Sequence, residues 1–233
     1  MNNRFNFNYK LQKAVFIRRP NRFLVIAGLN GREIKAHLAD PGRLRELLYP
    51  GADIWLTYSA NPGRKTQFTV RFTRVNGVMV SLHSQLPNIW MDYSLRHGLL
   101  PELKDYEYLR REVAVGSHRF DFCLQNSHGR AYLEVKSVTL VRDGRALFPD
   151  APTKRGASHV RHLADMQTKG IQTFVCFVIQ RSDARIFSPY RERDPDFADA
   201  LEIARRAGVV IMARTTVITP DSIRWGAVVA VEF

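Results

Sequence analysis

The chain has 233 residues, of which 45% are hydrophobic, and its 35 Lys and Arg residues against 22 Asp and Glu residues give a formal net charge of +13. This length and apolar content suffice for one large domain or two small ones with true hydrophobic cores. The excess of positive charge favours a polyanionic partner, of which nucleic acid is the leading candidate.

No apolar run approaches the length of a membrane-spanning helix, and the first residues lack the charged start and apolar stretch of a signal peptide. Cys123 and Cys176 lie in apolar runs without metal-ligand spacing, which predicts buried free thiols. We therefore expect a cytoplasmic protein.

The positive charge is unevenly distributed along the chain. Residues 1–85 hold 14 Lys and Arg against 4 Asp and Glu, a net +10, whereas residues 86–233 hold 21 against 18, a net +3. This difference predicts a basic nucleic-acid-binding domain over residues 1–85, joined to a domain over residues 86–233 that carries the chemistry.

The first domain contains short apolar runs separated by turn-forming residues. Five runs are typical of strands: residues 22–29, 33–38, 53–58, 67–74 and 78–82. Asn30-Gly31 and Asn76-Gly77 predict tight hairpin turns between two pairs of these strands. We predict a small five-stranded, OB-like barrel, an architecture that often binds nucleic-acid strands.

Two basic segments of this domain are phosphate candidates. Residues 40–48 predict a turn followed by one or two helical turns with the leucines on the buried side. Arg43 and Arg45 near the start of that helix could hold a phosphate or could be solvated on a surface helix, and both interpretations remain open. Arg64 and Lys65, in the following Pro- and Gly-rich loop, form a weaker candidate.

The second domain alternates helical and strand patterns, which favours an α/β architecture with a mixed sheet. The predicted helices cover residues 87–97, 102–106, 153–168 and 195–207. The predicted strands outside the hairpin described next cover residues 109–115, 173–179 and 209–213.

A hairpin in this domain carries paired carboxylates. Residues 119–124 and 131–136 alternate apolar and polar side chains and are joined by a polar turn-forming run. Residues two apart share a face of a strand, so Glu134 and Lys136 point the same way, and Asp121 joins them if the register allows. Two adjacent carboxylates repel unless a cation lies between them, and oxygen ligands suit Mg²⁺ or Mn²⁺. Asp121 and Glu134 are therefore the predicted metal ligands.

This arrangement favours phosphodiester hydrolysis. A metal of this kind lowers the pKa of its bound water and stabilises charge on a scissile phosphate. Lys136 would then orient the attacking water or stabilise the developing negative charge. Spacing alone leaves an ordinary cross-strand ion pair as the alternative, because E-x-K occurs in many proteins.

The helix predicted after the hairpin has a basic face. Arg155, His159 and His162 recur at helical spacing, while Val160 and Leu163 on another face suit packing. A basic face beside an acidic metal site would bind the phosphates that flank a scissile bond. The alternative is a set of solvated side chains, and the spacing of the two histidines is not by itself a zinc-binding pattern.

Several segments together carry a more specific signal than E-x-K alone. They include His37 to Leu44, Arg119 to Phe122 and Tyr132 to Leu140. Further positions are Arg22 to Leu24, Arg111 to Val113, Gly116, Phe148 to Ala151, Thr153, Arg155, Gly156, His159, Arg161 and Arg185 to Pro189. The whole chain thereby resembles the sugar fermentation stimulation protein family, SfsA.

The resemblance implies an N-terminal OB-fold domain followed by a domain of the PD-(D/E)xK nuclease type, with Asp121, Glu134 and Lys136 as the D and E-x-K residues. It also implies Glu112 as an additional acidic contributor. The family is regarded as binding DNA without sequence specificity and is named for a regulatory link to sugar metabolism. Lys154 stands where members of the family often have Glu, which removes an acidic role there and favours a phosphate contact.

The sequence is compatible with two functions. The first is a Mg²⁺- or Mn²⁺-dependent nuclease acting on DNA or RNA, and the second is a non-catalytic DNA-binding regulatory protein on a nuclease-type scaffold. A small anionic ligand is a weaker third candidate, because the chain has no glycine-rich phosphate loop. The predicted nucleic-acid contacts are Arg43, Arg45, Arg64, Lys65, Lys154, Arg155, His159 and Arg161.

Overall fold

A closed barrel forms the N-terminal part of the protein. The computed structural model of the whole chain describes residues 3–116 and 118–233. The first strands are β1 (Arg4–Asn6), β2 (Leu11–Asn21), β3 (Leu24–Leu29), β4 (Arg32–Leu38), β5 (Asp53–Tyr58), β6 (Phe68–Val75) and β7 (Val78–Ser81). Strands β2 to β6 close a ring through the pairs β2–β3, β3–β4, β4–β6, β6–β5 and β5–β2. The ring confirms the predicted five-stranded barrel.

One strand of the ring differs from the five that were predicted. β2 completes the ring, whereas the strand predicted over residues 78–82 corresponds to β7, which lies outside the ring and pairs with β6. The pattern of β2 is hidden in the sequence, because charged residues such as Arg18 and Arg19 interrupt it and only Ala14 and Phe16 join the barrel core.

The one or two helical turns predicted within residues 40–48 are reduced to a single turn, in which the N–H groups of Leu47 and Leu48 donate to the carbonyl of Leu44. Oδ1 of Asp40 accepts a hydrogen bond of 2.8 Å from the N–H of Gly42, which favours a turn over a helix. Leu44 has a left-handed φ of 51°, so helical geometry does not continue through it. The guanidinium of Arg19 holds the segment by donating to the main-chain carbonyls of Asp40, Gly42 and Arg43. The leucines are buried, as predicted.

The C-terminal part is a mixed sheet with helices on both faces. Its helices are α1 (Leu86–Arg96), α2 (Lys154–Thr168) and α3 (Pro195–Arg206), and the helix predicted over residues 102–106 is a 3-10 turn at Pro101–Leu103. Its strands are β8 (Glu107–Val115), β9 (His118–Asn126), β10 (Gly129–Val138), β11 (Val141–Arg142), β12 (Arg145–Phe148), β13 (Gln172–Ile179), β14 (Ile186–Pro189), β15 (Val210–Ile218), β16 (Ser222–Val228) and β17 (Ala230–Val231).

The main sheet has the order β1-β16-β15-β13-β10-β9-β8, in which β10, β13 and β15 run parallel and the other pairs are antiparallel. This topology confirms the predicted mixed sheet. β11, β12, β14 and β17 form a smaller second sheet. Apolar residues of α2 and α3 cover one face of the main sheet, and Met91 of α1 packs on the other.

The two parts share a hydrophobic cluster. Trp55 and Phe72 of the barrel pack with Trp90 of α1 and with Ile218 and Ile223 of the main sheet. Strand β1 precedes the barrel in the sequence but pairs with β16 of the main sheet. The division into residues 1–85 and 86–233 stays a prediction.

Two further expectations concern the cysteines and the membrane. Cys123 and Cys176 are free and buried, as predicted, and burial raises the pKa of the Cys176 thiol to about 12. Among the residues described, no helix is long and apolar enough to cross a membrane.

Candidate active site

The predicted hairpin forms and brings its carboxylates together. The ladder between β9 and β10 ends at the pair Leu133–Phe122, so Asp121 and Glu134 are the next residues on the two strands. Beyond this pair, a side chain takes the place of the main-chain acceptor, because Oδ2 of Asp121 accepts a hydrogen bond of 2.7 Å from the N–H of Val135. Asp121, Glu134 and Lys136 line one cavity of about 240 Å³.

Glu134 is held on one oxygen and left without a partner on the other. Its side chain is almost fully buried. Oε1 accepts hydrogen bonds from Nζ of Lys136 at 2.6 Å and from Nδ1 of His159 at 2.9 Å. Oε2 is buried and has no hydrogen-bond partner among the described residues. A buried carboxylate oxygen without a donor is costly, so this atom fits a ligand position for a cation.

The orientation of His159 follows from its two partners. Nε of Arg155 donates to Nε2 of His159 at 3.3 Å, which makes Nε2 the acceptor nitrogen of the ring. Nδ1 therefore carries the hydrogen and donates to Glu134. Both Arg155 and His159 belong to α2. Thr153 caps the N-terminus of this helix, because its Oγ1 accepts a hydrogen bond of 3.1 Å from the N–H of Gly156.

The two carboxylates have opposite electrostatic environments. Burial raises the pKa of Asp121 to about 6, and the charge of Glu134 adds to this rise against hydrogen bonds from Val135 and Asn88. Burial also acts to raise the pKa of Glu134, but the charge of Lys136 and the hydrogen bond from His159 outweigh it, so the pKa is lowered. The pair therefore combines one carboxyl group whose pKa is lowered with one whose pKa is raised to about 6.

Glu112 lies on the wall of the same cavity, at its edge. The pairing of β8 with β9 places it opposite Asp121, but its φ of 55° is left-handed and its half-exposed side chain forms an ion pair of 3.7 Å with Arg119. Among residues 3–116 and 118–233, no three His, Cys, Asp or Glu side chains form a group that could hold a metal ion. A metal here would therefore rest on Asp121 and Glu134, with water and substrate oxygens as further ligands.

The predicted basic contacts separate into two groups. Arg155 and His159 line the carboxylate cavity, although His159 is buried against Glu134 instead of facing solvent. Lys154 is exposed at the start of α2, while Arg161 points elsewhere and forms an ion pair with Asp196.

The basic residues of the barrel lie at other sites. Arg43 and Arg45 line a surface groove with Arg19 and Arg22. Arg64 and Lys65 line a different groove, where Nη2 of Arg64 donates to Oγ1 of Thr69 at 2.7 Å. The structure thus brings neither pair into the carboxylate cavity.

Asn88 is a site residue that sequence patterns did not reveal. Its Nδ2 donates a hydrogen bond of 2.7 Å to Oδ1 of Asp121. It comes from α1, 33 positions earlier in the chain, and an asparagine in a helix carries no signal of such a contact.

A larger cleft of about 490 Å³ adjoins the carboxylate cavity. Glu112, Val135 and Lys136 line both spaces, so the cleft and the cavity meet at these residues. One wall of the cleft is the segment after β4 and the other is the end of β10.

Comparison with known proteins identifies the family. Residues 17–82 match the SfsA N-terminal OB domain, and residues 85–222 match the sugar fermentation stimulation protein RE domain. A sugar fermentation stimulation protein homolog of Moorella thermoacetica is 46% identical over 224 residues, which cover 95% of this chain and 97% of the relative. The chain belongs to the SfsA family.

Other members of the SfsA family support the same conclusion. A homolog of Chloroflexus aurantiacus is 44% identical over 221 residues, covering 95% of this chain and 85% of the relative. A solved structure of Pyrococcus furiosus SfsA in complex with Ca²⁺ is 28% identical, has a TM-score of 0.89 and is matched over 98% of both chains. The predicted resemblance is thereby confirmed, together with the OB-type barrel.

Proposed function

We propose that this chain is a divalent-metal-dependent phosphodiesterase that cleaves DNA, with Asp121 and Glu134 as the ligands of Mg²⁺ or Mn²⁺. The observation that carries the proposal is the buried Oε2 of Glu134, which has no hydrogen-bond partner among the described residues and lies in a cavity shared with Asp121. Two buried carboxylates in one cavity repel, and a cation between them removes that cost. The Pyrococcus furiosus relative was solved with Ca²⁺, which also prefers oxygen ligands.

The side chains around the carboxylates have separate roles. When bound, the cation would lower the pKa of a coordinated water and offset the phosphate charge. His159 and Lys136 hold Oε1 of Glu134, which leaves Oε2 as the acceptor for a ligand. The ammonium of Lys136 also faces the cavity, where it stabilises negative charge that develops on the phosphate. Arg155, exposed beside the cavity, contacts the next phosphate along the strand.

DNA is the proposed partner because the chain carries a net charge of +13 and the barrel has two grooves lined by Arg and Lys side chains. Arg43, Arg45, Arg64, Lys65 and the exposed Lys154 are proposed to position the DNA backbone outside the site of cleavage. The affinity should therefore fall steeply with salt.

The decisive experiment measures DNA cleavage with and without added Mn²⁺. The purified protein should cleave only with the metal, and Lys136→Ala should lower the rate by at least about a hundredfold. DNA affinity should change little, because Lys136 is one of many cations.

Lys169→Ala, just beyond the C-terminal end of α2, is the matched control and should cleave normally. Equal cleavage by Lys136→Ala and the unmodified protein would point to a contaminating nuclease. RNA in a parallel reaction tests the choice of DNA.

A non-catalytic DNA-binding regulatory role is the second candidate. It is favoured by the absence, within residues 3–116 and 118–233, of a third His, Cys, Asp or Glu that completes a metal-binding group. Calorimetric titration with Mn²⁺ separates the two candidates. Mn²⁺ binding that Glu134→Gln abolishes supports the phosphodiesterase, whereas DNA binding without any Mn²⁺ binding supports the regulatory role.

A further inference from the structure

The cleft beside the carboxylate cavity has a volume of about 490 Å³, within the range of pockets that enclose small organic ligands. Its floor meets the carboxylate cavity at Lys136 and Val135. A nucleotide whose phosphate lies at the carboxylates therefore has its neighbouring sugar and base at the entrance of the cleft. The position of the cleft makes it part of the path of a nucleic-acid substrate.

The cleft has cations, Arg111 and Lys136, on one side, but two carboxylates on the other side disfavour a second phosphate there. Asp40 and Asp150 both line the wall formed by Pro41 and Gly42. A Cβ built on Gly42 would lie 2.6 Å from Oδ2 of Asp150 and 2.9 Å from Oδ1 of Asp40, so both carboxylates crowd this glycine. Their negative charges repel an anion at this wall.

Each of these carboxylates keeps one oxygen available. Oδ1 of Asp40 accepts from the N–H of Gly42 at 2.8 Å, and Oδ2 of Asp150 accepts from the N–H of Arg43 at 3.0 Å. The other two oxygens accept no hydrogen bond from the part of the chain that the structure describes. Asp40 is only 7% exposed, and burial raises the pKa of its carboxyl to about 6. A ligand that donates N–H groups would satisfy these acceptors.

Part of the remaining lining is apolar and suits a flat ring. Ile89 of α1, Leu140 after β10 and Leu147 and Phe148 of β12 supply apolar surface around the carboxylates. A nucleobase combines a flat ring with N–H donors at its edge, and carboxylates accept from exocyclic amino groups of bases. Enzymes that bind a base in this way take it out of the stack or act on single strands.

We propose that this cleft binds one unpaired nucleobase through an exocyclic amino group, beside the phosphodiester that is cleaved. The inference rests on the proposed function and narrows its substrate to DNA with a single-stranded segment at the site of cleavage. Adenine, cytosine and guanine all carry an exocyclic amino group, so this contact is compatible with binding that has little sequence specificity.

The test measures binding in EDTA, where no cleavage occurs, by fluorescence anisotropy. Its probes are short labelled oligodeoxycytidine, oligodeoxyuridine and a blunt duplex. Uracil presents an oxygen where cytosine presents its amino group, so the unmodified protein should bind oligodeoxycytidine about tenfold more tightly. Asp40→Asn keeps an oxygen for the N–H of Gly42 and places an amide N–H₂ in the cleft, so it should abolish or reverse this preference.

A second variant fills the cleft without touching the carboxylates. Ile89→Trp should weaken binding of both single strands about tenfold or more and leave duplex binding unchanged. Glu46→Gln is the matched control for Asp40→Asn, because Glu46 is an exposed carboxylate in the same segment, residues 40–48. This variant should preserve the cytosine preference. An unaltered preference in Asp40→Asn, or unaltered single-strand binding in Ile89→Trp, overturns the inference. Failure of every probe to bind overturns the proposed DNA function as well, whereas tight duplex binding without base preference overturns the cleft assignment alone.

Discussion

Single side chains at the carboxylate cavity give the protein a pH response in the absence of metal. The pKa of Asp121 is raised to about 6 by burial and by Glu134. A carboxyl whose pKa is higher in the folded state contributes stability that is complete below its unfolded value, near 4, and is lost as the pH rises through 6. The ionised Asp121 is therefore a cost to folding at neutral pH, and that cost is what a bound cation would remove.

We predict that Asp121→Asn stabilises the metal-free protein at pH 8 by about 2 kcal/mol and has little effect near pH 4. Asn88 can rotate its amide to accept from the new side chain, so the contact between them survives. Urea unfolding in EDTA at both pH values measures the difference. Asp183→Asn is the opposite control, because its hydrogen bond with Arg181 lowers the pKa of Asp183 and its stabilisation is present at high pH. A stability loss at pH 8 in Asp121→Asn would contradict the argument.

The contact between His159 and Glu134 gives a second prediction. Nδ1 of His159 is the only donor besides Lys136 that a described side chain offers to Oε1 of Glu134. An asparagine amide can place N–H at the same position, whereas alanine cannot. We predict that His159→Ala weakens Mn²⁺ binding about tenfold or more and that His159→Asn stays within about threefold of the unmodified protein. Calorimetric titration with Mn²⁺ measures both, and an equal loss in the two variants would refute the role of the hydrogen bond.

Among helices and strands, α2 and α3 depend on one shared residue. Asp194 is 5% exposed and caps α3, since its Oδ1 accepts from the N–H of Phe197 at 3.0 Å. Its Oδ2 accepts from the N–H of Thr153 at 2.7 Å, at the start of α2. Because α2 carries Arg155 and His159, this carboxylate fixes the position of the helix that lines the carboxylate cavity.

We predict that Asp194→Ala lowers the free energy of unfolding by about 2–4 kcal/mol, because it removes the cap of α3 and leaves the N–H of Thr153 without a partner. Asp199→Ala, on the exposed side of α3 in an ion pair with Arg191, should cost less than about 1 kcal/mol. Chemical denaturation compares the two variants. Similar losses in both would show that Asp194 does not join the helices.

Across the molecule as a whole, the barrel and the main sheet share apolar packing. Trp90 is fully buried and lies in the cluster that joins barrel residues such as Trp55 and Phe72 to Ile218 and Ile223. The N–H of Ser81 donates to the carbonyl of Gln180 at 3.3 Å, a direct contact between β7 and the end of β13. The barrel and the sheet should therefore unfold together.

We predict one cooperative unfolding transition for the full chain. Trp90→Ala should lower the free energy of unfolding by about 3–5 kcal/mol. Trp90→Phe should cost less, because it keeps an aromatic ring and removes an indole N–H that has no partner among the described residues. Calorimetry and intrinsic fluorescence follow the transition. Two separate transitions in the unmodified protein would show that the parts fold independently.

Local patterns predicted much of this architecture because the interactions behind them are local. The alternation in residues 119–124 and 131–136, with a short turn between them, sufficed for the hairpin, and the hairpin brings Asp121 close to Glu134. The 3.6-residue spacing of Val160 and Leu163 likewise predicted the buried face of α2. Strand β2 escaped prediction because its charged residues mask the alternation, and its place depends on ring closure with distant strands.

The residues of the chain alone sufficed for a five-stranded barrel, the mixed sheet and the paired carboxylates, because periodicity and hairpin spacing act over a few positions. Tertiary structure decided what surrounds the pair. It brought Asn88 to Asp121, turned His159 inward to Glu134, left Glu112 at the edge and opened the cleft between Asp40 and Lys136. These contacts join segments far apart in the chain, and their energies depend on burial and charge that appear only when the sheet, the helices and the barrel pack together.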